Sequence, residues 1–355
     1  MSAPPIPLLP LHQLEPGQVA DCYALLITKT QGVTKNGRPY FTCQFRDAHR
    51  VVACLQWAES LFLRDCVENW KVGTPYRLRV QYQEHPVYGS QVELHDWRLI
   101  KDAEFAAGFD VRSLIPTSRF DPEEMWQQLT GRINNEMQDE GLKRLTLTLL
   151  DRWKSALISL PATENRFYPF QSGWLEHTLS LSHSCLLLCD HYLRHYADAG
   201  PTLNRDLVLA GAVLHDVGRV VEHLPAAPGL PREPTVPGKL YGHLVLGRDL
   251  VRDLAKELDC VDAGQMERLE HLILAHLTLP EWGSVRLPLI PEVLILHHAD
   301  DLDAKMEMYL RCLRTDVSAG PFTVRDPILN KPLLKPGAWA AARVPVPEPP
   351  GSSPA

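Results

Sequence analysis

The first hundred residues switch repeatedly between short runs rich in β-branched and aromatic side chains and polar turns. This pattern predicts five strands, at Asp21–Thr30, Tyr40–Asp47, Val51–Trp57, Pro75–Gln83 and Gln91–Ile100. The longer segment between the third and fourth strands, Ala58–Lys71, can hold a helix. Five strands with a helix at that point are typical of a small closed barrel of the OB type. We therefore predict an OB-fold domain over residues 10–105, after a flexible N-terminus at residues 1–9.

The hydrophobic pattern becomes helical after a linker that we place at residues 106–120. Asp121, Pro122 and the acidic pair that follows have the residue types expected at a helix N-terminus. From there to about residue 315 no strand-like alternation is sustained, which predicts an all-helical domain over residues 121–315. The Pro/Ala-rich tail, residues 316–355, is predicted to be largely disordered at its end. The predicted fold class is therefore multidomain, a β-barrel followed by an all-α domain.

Composition narrows the class of protein without defining it. The 355 residues carry a formal net charge of −7, which argues against a strongly basic, nonspecific duplex binder but leaves room for one local groove. The eight cysteines are scattered without a CxxC pair, which favours a reducing cytoplasm over a disulfide framework. No apolar stretch approaches the roughly 18–20 residues that span a bilayer, so we expect no membrane association.

Histidines are concentrated in the helical domain, where eleven of the fifteen lie between His177 and His298. The adjacent pair His215–Asp216 closes the apolar run AGAVLHD. An imidazole and a carboxylate side by side at a helix end are good ligands for a divalent metal. Further ligands must then come from other helices, because one pair cannot complete a coordination shell. The sequence therefore predicts a metal site in the helical domain.

Several other segments offer nitrogen and oxygen ligands for that site. His177 lies early in a predicted helix, and His243 opens another. His271 and His276 are five residues apart, about 140° around a helix, so only one of them is expected to face the metal. The segment LILHHADDLDAK adds a last group of candidates, namely His297, His298, Asp300, Asp301 and Asp303. This set suits one or two ions of Mn²⁺, Fe²⁺, Co²⁺, Ni²⁺, Zn²⁺ or Mg²⁺, which would activate water against a phosphoester.

One segment in the helical domain has a different period. Between His223 and Gly242 five prolines recur at every third residue, the period of a polyproline II helix, at positions 225, 228, 231, 234 and 237. This spacing predicts a stiff surface loop. An alternative is a rim or flap beside the metal site, because the loop follows the helix that carries His215.

The order H…HD…H…H…D resembles the HD-domain metal phosphohydrolases. Together with NGRPYF, LIPTSRFDPEEMW, GWLEHTLSL, YGHLVLG, LEHLILAH and HHADDLDAKM, it makes residues 10–325 similar to the YhaM-like 3′→5′ exoribonucleases. This resemblance implies a nucleic-acid-binding barrel, a metal-dependent nuclease domain that uses Mn²⁺-type ions, and a homo-oligomer. It also implies primary metal ligands at His177, His215, Asp216 and Asp300, and second-metal ligands at His243 and His276.

The chain departs from that family's pattern at four places near the implied site. Phe167 and Tyr168 stand where the family carries a histidine pair, and Arg219 replaces the usual lysine. Arginine keeps the positive charge but binds phosphate as a planar fork. The family's HHG and YGSP segments become His276-Leu277-Thr278 and Trp282-Gly283-Ser284-Val285.

The leading functional prediction is a metal-dependent 3′→5′ exonuclease on single-stranded RNA, with single-stranded DNA as a further candidate substrate. We assign catalytic roles to His215 and Asp216, and phosphate binding to Arg219 or His298. In the barrel, Lys35, Arg38, Tyr40 and Phe41 are the predicted contacts to the strand, where aromatic rings stack on bases. Two alternatives remain: a phosphohydrolase acting on nucleotides or cyclic dinucleotides, and a single-strand-binding protein with a weakened catalytic site.

Overall fold

The N-terminal third of the chain folds as a closed five-stranded barrel. The computed structural model describes residues 6–85, 88–199, 203–316 and 318–337. The strands are joined in the order β1-β2-β3-β5-β4, and β4 closes the barrel onto β1. Their bounds are β1 Val19–Val33, β2 Pro39–Arg46, β3 Val51–Gln56, β4 Pro75–His85 and β5 Gly89–Leu99. Helix α1, Leu63–Glu68, follows β3, so the predicted OB-fold is confirmed.

Alternating side chains fill the barrel with a dense apolar core. Phe45, Trp70 and Tyr76 are almost fully buried, and their rings meet edge to face. The segment before β1 is also tied to this domain. The backbone N–H of Leu9 donates to the carbonyl of Asp21 at 2.8 Å. Within the N-terminal segment predicted to be flexible, residues 1–9, Pro7–Leu9 therefore contact the barrel, while residues 1–5 lie outside the described part.

The rest of the described chain is helical. The predicted linker is partly ordered, since α2, Asp102–Ala106, and a 3₁₀ turn, Val111–Leu114, follow the barrel. Asp121 caps the next helix by accepting hydrogen bonds from the backbone N–H groups of Glu123 and Glu124, as predicted. The remaining helices are α3 Pro122–Glu136, α4 Glu140–Leu157, α5 Gly173–His195, α6 Arg205–Leu214, α7 Arg219–Glu222, α8 Val236–Leu258, α9 Ala263–Ala275 and α10 Pro291–Thr315.

Helix α6 lies at the centre of the helical domain. All its side chains from Leu207 to Leu214 are buried, and its neighbours include α4, α5, α9 and α10. A helix that is apolar on every face must be surrounded by other elements, and this one ends at the pair His215–Asp216. Among the described residues, no helix is both long enough and apolar enough to cross a bilayer.

The proline-rich segment between α7 and α8 packs against the barrel. Leu230 contacts a small apolar cluster that includes Leu25 of β1 and Ile115 of the linker. Arg46 of β2 donates from its Nη1 atom to the carbonyl of Gly229 at 3.3 Å. The segment is therefore more than the predicted surface loop, because its tip connects the two domains.

The start of the predicted C-terminal tail is also structured. Phe322 bridges Leu334 and Asp326 bridges Lys331 in a short antiparallel arrangement. Leu333 is buried there, and Lys335 forms an ion pair with Asp316 at 2.7 Å. The disorder predicted for the end of the tail falls on residues 338–355, which lie outside the described part of the chain.

Candidate metal centre

Six predicted ligands from five helical segments meet in one buried cluster. His177 comes from the second turn of α5, and His215 and Asp216 follow the C-terminal end of α6. The other three come from later helices, namely His243 in α8, His276 at the end of α9 and Asp300 in α10. Five of the six are almost inaccessible to solvent, with exposures of 0–8 %, and His243 is half-buried.

Two glycines allow these segments to meet. Gly242 has a φ of 71°, which breaks α8 immediately before His243 so that this ligand begins a new helical segment. Gly218, two residues after Asp216, packs directly against that segment. A Cβ atom at residue 218 would lie 2.0 Å from the carbonyl oxygen of His243 and 2.5 Å from the nitrogen of Gly247. The turn formed by His215–Gly218, which we call the HD turn, can therefore approach α8 only because residue 218 has no side chain.

Backbone carbonyls orient two of the imidazoles. His215 donates from Nδ1 to the carbonyl of Ala212 at 3.0 Å, and His276 donates from Nδ1 to that of Ile273 at 2.9 Å. A carbonyl oxygen can only accept, so the tautomer of each ring is defined. The Nε2 atom of each ring is then left as a lone-pair donor toward the cluster.

Carboxylates orient the other two imidazoles. The Nδ1 atom of His177 lies 2.8 Å from Oδ2 of Asp303, and that of His243 lies 3.2 Å from Oε1 of Glu222. Such carboxylate contacts fix a ligand ring and raise its basicity. Burial alone would lower the pKa of His177, but without a bound cation its contacts with Asp300 and Asp303 outweigh burial and raise the pKa to about 10. A metal ion that binds Nε2 must therefore displace a proton from this ring.

Five buried ligand atoms have no hydrogen-bond partner among the described residues. They are Nε2 of His177, His215 and His243, and Oδ1 of Asp216 and Asp300. Polar atoms buried without a partner are costly, and native structures rarely leave several together. A cation bound by these three nitrogens and two oxygens would satisfy all of them. The donor set therefore fits a divalent metal of intermediate hardness.

The separations within the cluster are short enough for shared coordination. His177 Nε2 lies 3.2 Å from Asp300 Oδ1, and His243 Nε2 lies 3.1 Å from Asp216 Oδ1. Two groups of three have all their ligand atoms within 4.8 Å of one another. These groups are His177/His215/Asp300 and His215/Asp216/His276. His215 belongs to both groups but has a single lone pair at Nε2, so it can bind only one ion. The cluster therefore offers either one site or two adjacent sites, and only a carboxylate such as Asp216 could be shared between them.

A buried arginine balances the charge of Asp216. Nε of Arg219 lies 2.6 Å from Oδ2 of Asp216, and Nη1 lies 3.5 Å from Oε2 of Glu222. Burial alone would raise the pKa of Asp216, but the nearby guanidinium and imidazoles hold it well below its usual value. The carboxylate therefore stays ionised, as a metal ligand must be.

The structure places the two histidine candidates, His271 and His276, in different surroundings. His276 is buried in the cluster, whereas His271 accepts a hydrogen bond at Nε2 from the backbone of Leu289. His298, predicted to contact phosphate, is exposed on α10, and its ring lies beside that of His297.

Sequence reasoning did not assign the residues that orient the ligands. The sequence predicts Asp303 only as a candidate ligand, and it does not predict a role for Glu222. Its position seven residues after His215, on the short helix that follows the HD pair, was the available signal. Phe167 and Tyr168 also belong here, because their rings lie 5.3 and 5.4 Å from the ring of His177. These two residues therefore form an aromatic wall at this ligand.

Of the predicted strand-binding residues of the barrel, some are accessible to solvent, whereas Phe41 packs against the core. Lys35 and Arg38 are exposed in the turn between β1 and β2, and the ring of Tyr40 lies 5.0 Å from that of Trp57. Phe41 instead packs against the barrel core. Lys35, Arg38 and the half-buried Tyr40 therefore contribute, together with the exposed Trp57, to a basic and aromatic surface, and Phe41 packs on the core side.

The chain is similar to a known domain family and to named relatives along most of its length. A family model described as "HD domain" matches residues 174–305, which include the six clustered ligands. The 3'-5' exoribonuclease YhaM of Geobacillus sp. (strain WCH70) is 30% identical over 325 residues, covering 91% of this chain and 93% of the relative. The YhaM of Bacillus subtilis (strain 168) is 30% identical over 330 residues, covering 92% and 97%. This chain belongs to the YhaM family.

Proposed function

We propose that this protein is a metal-dependent 3′→5′ exoribonuclease that shortens single strands. The observation that carries the proposal is the set of five unpartnered ligand atoms buried together in an HD domain. The barrel supports a strand as the substrate, because OB-folds bind single strands through stacking and a mildly basic groove. Relatives named as exoribonucleases, matched over nearly their full length, support the same activity.

The proposed metal ligands are His177, His215, Asp216 and Asp300, with His243 and His276 available to a second ion. A divalent ion there, for which we propose Mn²⁺, would supply acidified water and positive charge for the phosphodiester. The ring nitrogens are held ready for this role by their Nδ1 partners, so little reorganisation accompanies binding. Preservation of this geometry argues against the alternative of a weakened binding protein.

We propose phosphate-binding roles for Arg219, which lies beside the cluster, and for His298 on α10. Arg219 is fixed by Asp216 and Glu222 and contributes a permanent positive charge beside the ligands. His298 is exposed on α10, two residues before Asp300, where a strand can reach it. We propose that Arg219 acts mainly by charge and His298 by direct contact.

The test is a time course on RNA labelled at its 5′ end, with wild-type protein and the double variant His215→Ala/Asp216→Ala. We expect a ladder that shortens from the 3′ end with Mn²⁺, and no shortening by the variant. His183→Ala is the matched control, because this histidine is exposed on the same helix as His177. An intact oligomer with every divalent metal, together with turnover of nucleotides or cyclic dinucleotides, would replace this proposal by the phosphohydrolase alternative.

The preferred strand, the oligomeric state and the cellular location are further parts of this proposal. We propose RNA as the preferred strand, to be compared with DNA of equal sequence in that time course. We propose a homo-oligomer, to be measured by analytical ultracentrifugation. A cytoplasmic location is supported by the eight cysteines, which are all free thiols.

A further inference from the structure

We propose that Trp282 and His297 form the stacking surface for the nucleobase at the 3′ end of the strand. This inference rests on the proposed exonuclease function and adds a substrate subsite to it. The two residues lie outside the metal cluster, and one hydrogen bond connects them to it. The chemical group that they would bind is a nucleobase of any identity, because every base has a flat π-face.

The loop that carries Trp282 is fixed immediately after a metal-ligand candidate. It begins at Thr278, two residues after His276, and both Thr278 and Gly283 adopt left-handed backbone conformations with φ values of 62° and 103°. The backbone N–H of Val285 donates to the carbonyl of Leu274 at 3.0 Å, which ties the loop back to α9. Trp282 is therefore held at a defined place relative to the metal centre.

The indole is exposed although an apolar ring of this size is normally buried. Trp282 is 53% exposed, and its ring lies 6.2 Å from that of His297 with an interplanar angle of 28°. This offset, nearly parallel arrangement leaves aromatic surface open to solvent. An exposed aromatic face in an ordered loop can stack on the flat face of a ligand.

His297 joins this surface to the cluster. Its Nδ1 atom donates to the carbonyl of His276 at 2.8 Å, and its Nε2 atom lies 3.5 Å from the hydroxyl of Thr278. It also precedes Asp300 by three residues on α10, so both project from one side of the helix. A base stacked against this pair would place its own phosphodiester near the ligands, as removal of a terminal nucleotide requires.

The chemistry of the surroundings favours a base over an apolar partner. His298 stands beside His297 and is exposed, so its imidazole offers a hydrogen-bonding edge next to this surface. An aromatic face rimmed by polar edges suits a flat heterocycle that also carries polar edges. A protein partner, including a second copy of this chain, is the competing occupant in the test.

The experiment compares RNA oligomers that end in a normal nucleotide or in an abasic ribose. Wild-type protein, Trp282→Ala and Trp282→Phe are measured for KM, for kcat of the first cleavage and for Kd by anisotropy without added metal. We expect Trp282→Ala to raise KM and Kd about tenfold on the normal oligomer, the equivalent of one stacked base. Trp282→Phe should restore most of this loss, and on the abasic oligomer the wild type and Trp282→Ala should be equal.

Tyr196→Ala provides the matched control. Tyr196 is also 53% exposed and also stacks on a neighbour, Tyr192, at 6.3 Å, but it lies at the C-terminal end of α5. This control should leave KM unchanged for both oligomers.

Three results would overturn the proposal. They are an unchanged KM in Trp282→Ala, an equal loss on both oligomers, and a loss that accompanies dissociation of an oligomer in ultracentrifugation. If the wild type cleaves neither oligomer, the exonuclease function fails. The Kd comparison between the two ends still decides the stacking surface in that case.

Discussion

Asp216 uses its two carboxylate oxygens for different purposes. Oδ2 lies 2.6 Å from Nε of Arg219, while Oδ1 faces the Nε2 atoms of His243 and His276 at 3.1 and 3.9 Å. One oxygen is therefore held by a permanent cation, and the other is directed at the ligand cluster. A lysine at residue 219 would bind as a flexible point charge, whereas the guanidinium fixes the plane of the carboxylate.

Gly218 offers a test of how closely the HD turn must approach α8. In Gly218→Ala the new Cβ meets the backbone of His243 at 2.0 Å, and a backbone carbonyl cannot move aside cheaply. We expect the free energy of unfolding to fall by about 1–3 kcal/mol, as for other overpacked sites. Metal affinity should fall as well, because His243 is displaced. Urea denaturation and metal titration measure the two effects.

The control for that prediction is Gly131→Ala in α3. No heavy atom lies within 4 Å of a Cβ built there. Alanine in an open helical position is favoured over glycine by about 0.5–1 kcal/mol. Gly131→Ala should therefore be neutral or stabilising, and a loss at Gly131 as large as at Gly218 would refute the steric explanation.

At the scale of elements, the sequence predicts local structure but does not predict contacts between residues that are far apart in the chain. The sequence predicted β3 from Val51 and the N-cap at Asp121, because side-chain alternation and capping are encoded by neighbouring residues. It also predicted the set of candidate metal ligands, because an adjacent histidine and aspartate form a recognisable pattern. The contact between His177 and Asp303 joins residues 126 positions apart. No local pattern can predict such a partner, because it depends on how two helices pack.

Helix α2 shows how the end of the barrel is secured. Glu104 accepts hydrogen bonds from Arg98, Arg77 and the hydroxyl of Tyr23. The Arg98 guanidinium, followed by its other partners, holds the pKa of Glu104 well below its ordinary value of 4.5. A carboxylate with a lowered pKa in the folded state stabilises the protein above that ordinary value. Its contribution is lost as the pH falls toward the lowered pKa.

Glu104→Gln should therefore be less stable than the wild type at pH 7. The difference between the two proteins should shrink progressively as the pH falls below about 4.5, because the wild-type carboxylate becomes protonated. Urea denaturation across this pH range measures the effect. Glu68→Gln serves as the control, since Glu68 pairs with Arg64 on the exposed surface, where ion pairs contribute little. A constant difference at every pH would contradict the charge explanation.

At the scale of the whole molecule, local basic groups must act within an acidic chain of net charge −7. Lys35 and Arg38 are exposed on the barrel turn, and we expect each to neutralise one phosphate. The double variant Lys35→Ala/Arg38→Ala should weaken RNA binding. It should also reduce the slope of log K against log salt by about 1.4, at about 0.7 per single-strand phosphate. Arg64→Ala, which removes a barrel cation already paired with Glu68, should leave that slope unchanged.

The proline-rich segment 224–237 gives the molecule a fixed internal length. One end leaves α7, whose Glu222 orients a ligand ring, and the tip packs against Leu25 on the barrel. Under the proposed function, a strand that touches both domains must span a distance that this connection keeps constant. The fold then sets the shortest length of RNA that can still contact the barrel while its 3′ end lies at the metal centre.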